Sequence, residues 1–320
     1  MKIGQADKAN STLQFLKKNI SLAAFVILFV LFTFTCDGKF LTQANLLTIC
    51  GSSVDLLMCA LGTTYIIMLG SIDLSTGSML SLCGVVAAKV YFSTNSFPAA
   101  ILGAIGVSVT AYLVMGVTYT QMKIPSFIVT LGMLSIARAT VTMISGGTIT
   151  MIPFESPFKQ FLGMRPWILI VGMVAFIIAW LIERFTLFGR YTRLIGGDET
   201  VARLSGINVS RQKILVFLFA GVMTALGGLV MAARIGSGSP SIGQGYELNV
   251  ISAVVLGGTS FRGGIGGVKG TLIGALTLGM LANGLILWGM PTEVQLLIKG
   301  VILILAVYVS LERTPNMVIK

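Results

Sequence analysis

Ionisable side chains inside apolar stretches are the first candidates for chemistry in this chain. A charge in hydrocarbon is costly and is kept where it pairs or faces water. Asp55, Arg138 and Lys299 are the clearest such residues. A proton or ion relay needs a string of these groups, and three scattered residues of mixed sign do not form an obvious one. Structural pairing, of Asp55 with Arg138 or with Lys299, stands beside a role along a pathway. A second candidate is the turn Asp73-Leu74-Ser75-Thr76-Gly77-Ser78, which reads as a helix N-terminus. There Asp73 or Ser75 can accept a hydrogen bond from an orphan backbone N–H of the following helix. The other reading is a carboxylate that contacts a polar substrate or a coupling ion.

Catalytic constellations are missing. The chain has no histidine, and its four cysteines (Cys36, Cys50, Cys59, Cys83) show no CxxC spacing. A zinc site or a histidine-based catalytic site is therefore not expected. No Walker A pattern occurs, so this chain is not expected to bind ATP by that route, and neither a nucleophile elbow nor HExxH is present. Gly263-Gly264-Ile265-Gly266-Gly267 lacks the strand and helix context of a nucleotide loop.

The elements that hold these residues follow from composition. Hydrophobic residues make up 55% of the 320 residues and charged residues 10%, with a mean hydropathy of +0.93. Soluble domains carry about 25% charged residues. Repeated apolar stretches approach the ~20 residues that a helix needs to cross a bilayer. The fold class is an all-α polytopic membrane protein. Its candidate spans are 20–35, 52–69, 78–92, 98–119, 127–144, 166–182, 214–233, 248–258, 270–287 and 294–311, about ten in number. The eighth is too short to span alone and extends back toward Gly245. The N-terminal run does not end in a small-residue cleavage pattern, so it reads as a retained first span. Segments 1–19 and 312–320 flank a membrane domain of 20–311. With an even count both termini share one side, and that side holds most of the basic residues, as the positive-inside bias requires. This bias, rather than nucleic acid, accounts for the net charge of +11. Glycine is abundant, and Gly270, Gly274 and Gly279 suit close helix packing.

One polar insert interrupts the apolar pattern. Between Glu183 and Lys213 lie Arg184, Arg190, Arg193, Asp198, Glu199, Arg203 and Arg211. Such a basic loop presents itself to a soluble partner. Within it, Gly196 and Gly197 are expected to break the preceding segment. Asp198 and Glu199 suit a helix start, and Gly206 its end. Val201, Leu204 and Ile207 are expected on one face, suited to a groove on a partner or to the membrane surface. Two Gly-rich turns, Leu69 to Gly77 and Leu256 to Gly270, share a local pattern of a helix ending in Leu-Gly, a polar loop and a helix rich in small residues.

Four motifs in order carry a family resemblance over most of the chain, from Phe40 to Val307. They are Gly70-Ser71-Ile72-Asp73-Leu74-Ser75-Thr76-Gly77-Ser78, Ile124-Pro125-Ser126-Phe127-Ile128-Val129-Thr130-Leu131-Gly132, then Phe188-Gly189-Arg190-Tyr191 with Gly196-Gly197-Asp198-Glu199 and Arg203-Leu204-Ser205-Gly206-Ile207. The last is Gly245-Tyr246-Glu247-Leu248 with Ile251-Ser252-Ala253-Val254-Val255-Leu256-Gly257-Gly258-Thr259-Ser260. The chain resembles the ribose-type monosaccharide permeases of bacterial ATP-binding-cassette (ABC) importers. Where that family often has a glycine between the serine and isoleucine of the first motif, Ser71 here is followed directly by Ile72.

The resemblance implies ten helices of the type II ABC importer kind in the bacterial inner membrane, with cytoplasmic termini. It implies two permeases per complex, expected as a homodimer, with a cytoplasmic ATPase and a periplasmic sugar-binding protein. No cofactor is expected on this chain; ATP and Mg belong to the ATPase. By carry-over, Gly197, Asp198, Glu199, Val201, Ala202, Arg203, Leu204, Gly206 and Ile207 form the coupling helix that docks on the ATPase. Polar candidates for the substrate path are Asn45, Ser52, Ser53, Asp73, Asn249, Ser252, Asn283 and Gln295. Rival readings are an ion-coupled secondary transporter, a passive channel for small polar solutes and a membrane-embedded enzyme. Uptake that needs only an ion gradient would mark the first, and bidirectional flux with no binding protein the second. No paired acid–base group speaks for the third.

Overall fold

The computed structural model describes residues 20–310, so the expected flanking segments 1–19 and 312–320 lie outside the described residues. The chain runs α1 (Ile20–Thr35), α2 (Gln43–Ser52), α3 (Val54–Met68), α4 (Thr76–Thr94), α5 (Phe97–Gln121) and α6 (Ser126–Ser145). Then follow β1 (Thr150–Met151), α7 (Pro157–Gly163), α8 (Trp167–Phe185), α9 (Leu187–Gly197), α10 (Glu199–Leu204) and α11 (Val209–Ile235). The last described elements are β2 (Ser237–Gly238), α12 (Tyr246–Leu256), α13 (Val268–Leu287) and α14 (Thr292–Ser310). Every expected span holds a helix. Among the described residues, 7 helical segments are long and apolar enough to cross a membrane, with Gln43–Met68 counted as one.

Two boundaries differ from the sequence reading, and caps explain both. The second span begins at Gln43, where the Thr42 hydroxyl accepts the Asn45 N–H, and not at Ser52. Asn208 accepts the Arg211 N–H, so α11 starts at Val209 and takes Arg211 and Lys213 out of the loop. At ~1.5 Å per residue α11 is about 40 Å long. α12 reaches back as expected, starting at Tyr246 after Gly245. Being about 16 Å long it cannot cross alone.

α11 is the centre of the bundle and packs against α3, α4 and α5. Small residues allow this approach. A Cβ on Gly62 would lie 2.8 Å from the Ala220 Cα, and one on Gly228 would lie 2.6 Å from the Leu80 carbonyl oxygen. Without water to drive helices together, such backbone proximity supplies the dispersion contact that holds them in lipid. The glycines of α13 act likewise: Gly274 rests on the Ala253 carbonyl and Gly279 on the Ser53 hydroxyl. At the periphery, α6 and α8 turn residues such as Leu131, Ile136, Ile170 and Ile178 outward. Those surfaces suit hydrocarbon.

The two Gly-rich turns share one geometry. Gly70 (φ +75°) donates to the Ile67 carbonyl and Ser71 to the Ile66 carbonyl; Gly258 (φ +88°) donates to Val255 and Thr259 to Val254. Both are left-handed helix terminations of the Schellman kind. At the opposite end of the bundle β1 and β2 form a two-stranded antiparallel ribbon that pairs Thr150 with Gly238. All four cysteines are free thiols, with Cys50 exposed and the others buried.

Candidate functional site

The polar insert folds as an elbow of α9 and α10 at one end of the bundle. Gly196 and Gly197 do not break a helix as expected, because α9 runs through Gly197. The break falls at Asp198, whose extended backbone (φ −158°) starts α10 while its Oδ1 accepts the Thr200 N–H (2.8 Å) and the Val201 N–H (3.0 Å). Glycine is required at 196 for a different reason. The Met68 carbonyl and the Gly264 nitrogen occupy the place of a Cβ there, and the Gly264 N–H donates to that same carbonyl at 2.9 Å. Gly206 (φ +79°) terminates the turn after α10, as the sequence indicates.

Inside α10 the faces separate cleanly. Ala202 is buried, whereas Val201 and Leu204 are 57% and 83% exposed, and Leu194 of α9 is exposed beside them. Ile207 does not share this face. The helix ends at Leu204, and Ile207 turns back to pack against the core.

Three sets of polar contacts fix the elbow. Glu199 accepts from Lys213 Nζ at 2.7 Å and from Arg203 at 2.9 Å. The Lys213 ammonium lies 4.6 Å from the centre of the Tyr119 ring, a cation–π contact. Glu183 accepts from Arg193 at 2.7 Å with one oxygen and from the Val268 N–H at 2.9 Å with the other, so a carboxylate sits at the positive end of α13. Arg193 also donates to the Gly266 carbonyl at 3.2 Å.

Burial pushes the Glu199 carboxyl up, but hydrogen bonds and charge from Lys213 and Arg203 outweigh it and hold it below its ordinary value of 4.5. A depressed carboxylate contributes stability above its unfolded pKa and loses it as pH falls through the folded one. Hydrogen-exchange protection of residues 199–205 should therefore be constant near neutrality and fall as pH drops below about 4.5. Glu199→Gln should flatten that acid limb; an unchanged limb would show that Glu199 does not govern it.

The charges within the bundle pair otherwise than expected. Asp55, 1% exposed, is held by Arg234 Nε (3.2 Å) and Nη2 (3.3 Å) and by the Tyr246 hydroxyl (2.7 Å). Arg138 is not its partner, because Arg138 donates to the carbonyls of Pro240 (2.8 Å) and Ile242 (3.1 Å) and so pins the loop before α12. Lys299 is not its partner either, since among the described residues the cation paired with Asp55 is Arg234. The cause is the crossing of α3 and α11, which brings Arg234 at the far end of α11 to Asp55.

The N-cap of α4 is Ser75, which makes no side-chain cap bond, so the expected capping of a helix N–H by Asp73 or Ser75 does not form. The fully buried Asp73 instead closes the turn before the helix. Its Oδ1 accepts the Ser75 N–H (2.8 Å) and hydroxyl (2.6 Å), and its Oδ2 accepts the hydroxyls of Thr76 (2.8 Å) and Tyr112 (2.6 Å). The remaining path candidates do not converge on one cavity. Asn45 and Asn283 exchange amide hydrogen bonds at 3.0 and 2.9 Å, while Ser52 and Ser53 both donate to the Ile49 carbonyl. Ser252 donates to Leu248 and Gln295 to Met290. Asn249 keeps its amide free of hydrogen-bond partners among the described residues. Sequence reasoning missed Tyr119 and the partner of Lys213. Glu199 and Lys213 lie on different helices, and no spacing rule links them.

A model of the family described as branched-chain amino acid transport system / permease component matches residues 45–307. The chain is 38% identical over 308 residues to the ribose import permease protein RbsC of Escherichia coli, covering 93% of this chain and 95% of that one. It is 35% identical to RbsC of Bacillus subtilis, covering 92% and 93%. It is also 35% identical to the L-arabinose ABC transporter permease protein AraH of Azospirillum brasilense, covering 92% and 87%. No solved structure matches the chain.

Proposed function

Because the chain belongs to the branched-chain amino acid transport system / permease component family, we propose that it is the membrane-spanning subunit of an ABC importer for a monosaccharide. The cargo is a ribose-like pentose or a related hexose. One observation carries the reading: similarity to ribose and arabinose permeases extends over more than 90% of this chain. The chain is a transport permease, and the ATP and Mg of the reaction belong to a separate ATPase.

The elbow end faces the cytoplasm of a bacterial cell, with both termini on that side of the inner membrane. The coupling loop, expected over residues 183–213, closes at Asn208 where α11 begins, with Gly197, Asp198, Glu199, Val201, Ala202, Arg203, Leu204, Gly206 and Ile207 in and around the helix that meets the ATPase. Exposed apolar side chains on a charged cytoplasmic helix support this assignment, since they suit a groove on a soluble partner. Two copies of the chain form the membrane domain, expected as a homodimer, and a periplasmic binding protein delivers the sugar. Closure of the ATPases around ATP shifts the elbow, and the paired bundles alternate between outward and inward access. Asn45, Ser52, Ser53, Asp73, Asn249, Ser252, Asn283 and Gln295 remain the polar candidates for the path.

Co-purification of the tagged permease from its native membrane tests the reading. The expected result is an ATPase partner whose hydrolysis in liposomes is stimulated by one sugar-loaded binding protein. A permease that purifies alone and takes up sugar on an ion gradient would overturn it in favour of a secondary transporter.

A further inference from the structure

We propose that Lys213 and Tyr119 are positioning residues that carry the movement of α10 into the buried loop 69–75. The proposal rests on the assignment of α10 as the coupling helix. Its basis is an unbroken series of contacts across four segments of the chain. Glu199 on α10 holds Lys213 on α11 at 2.7 Å, and Lys213 lies 4.6 Å from the ring centre of Tyr119 on α5. The Tyr119 hydroxyl in turn accepts from the Ser71 hydroxyl at 3.1 Å, and Ser71 belongs to the loop.

Each link has a reason to move with its neighbour. Lys213 is buried, and among the described residues Glu199 is the one carboxylate that ion-pairs with it. Removing a partner from a buried charge is far more costly than breaking a surface ion pair. An outward step of α10 therefore draws Lys213 with it, and the ammonium leaves the Tyr119 ring or displaces it. Tyr119 then pulls or releases Ser71.

The loop at the far end is built to be re-seated. Irregular backbone at membrane depth must be covered by protein or line a cavity, and Ser71, Asp73 and Ser75 are all buried. Toward α6 the loop is held through two hydroxyls rather than a ladder: the Ile72 N–H donates to Ser126 Oγ (3.3 Å), while Thr130 Oγ1 accepts the Leu74 N–H (3.2 Å) and donates to the Ile72 carbonyl (3.2 Å). Asp73, at its centre, is bound by Tyr112 of the same α5 that carries Tyr119. The loop thus hangs from α5 at two points, one of which answers to the elbow.

Hydrogen exchange of the full permease–ATPase complex in nanodiscs, with and without ATP plus vanadate, reads both ends of this route without reference to any sugar. In the parent complex nucleotide should change the exchange of residues 199–205 and of residues 70–76. Lys213→Met and Tyr119→Phe should keep the change at 199–205 and reduce the change at 70–76 about tenfold, the size expected for a residue on a coupling route. Lys213→Arg should restore it. Tyr119→Phe keeps the ring and removes only the hydroxyl, so it decides the matter should Lys213→Met fail to fold. A nucleotide response at 70–76 as large in Tyr119→Phe as in the parent would overturn the proposal alone. No response at 199–205 in the parent would overturn the coupling assignment, and this inference with it.

Discussion

Replacing Val201 and Leu204 together by aspartate is expected to abolish transport while leaving the permease inserted and folded. The two side chains are 57% and 83% exposed, so the folded chain loses little packing on their removal. Surface substitutions of this kind usually change stability by no more than about 0.5 kcal/mol. Against a partner the balance reverses. A carboxylate driven into an apolar groove without a partner costs about 2–5 kcal/mol, or roughly 30-fold to several thousandfold in affinity. ATPase co-purification and sugar uptake should both disappear, with melting temperature and membrane yield unchanged. Normal uptake by the double variant would refute the docking role of α10.

Arg234→Ala is expected to be the most damaging single truncation within the bundle. It leaves Asp55 buried with one hydroxyl, that of Tyr246, as its remaining partner among the described residues. Stripping one member from a buried pair costs about 3–5 kcal/mol, because the other charge stays desolvated. The loss reaches further than the pair, since Tyr246 opens α12 and its hydroxyl is tied to the same carboxylate. Arg234→Ala should thus melt well below the parent in detergent, and Asp55→Asn with Arg234→Gln should recover most of the deficit by removing both charges. A single variant that melts with the parent would show that Asp55 is satisfied without Arg234.

What the sequence revealed and what it hid divide along contact range. The spans are legible because hydropathy is a property of each stretch alone, and α1, α4 and α13 lie where the apolar runs lie. The turn at Asp73 is legible for the same reason, since Ser75 and Thr76 stand two and three residues away, although the carboxylate takes the Ser75 N–H and hydroxyls rather than a helix N–H. Asp55 is the opposite case. Its partner Arg234 is 179 residues away and was chosen by how α3 crosses α11, which no local pattern records. Gly196 and Gly197 show a third case. Their composition suggests a helix break, but the crowding at Gly196 comes from Met68 and Gly264, so the glycine serves a neighbour and not its own helix.

That crowding has a mechanical consequence. Where Gly196, the Met68 carbonyl and Gly264 meet, backbone lies on backbone with no side chain between them. Interlocked side chains make helices move in discrete steps, because ridges must climb out of grooves. A contact without knobs has no such steps. The elbow can rock on this point as on a smooth bearing, through small and continuous angles, while the ion pairs around it limit how far it turns. A side chain at residue 196 would have to push the Met68 carbonyl and Gly264 away, and the bearing would be lost.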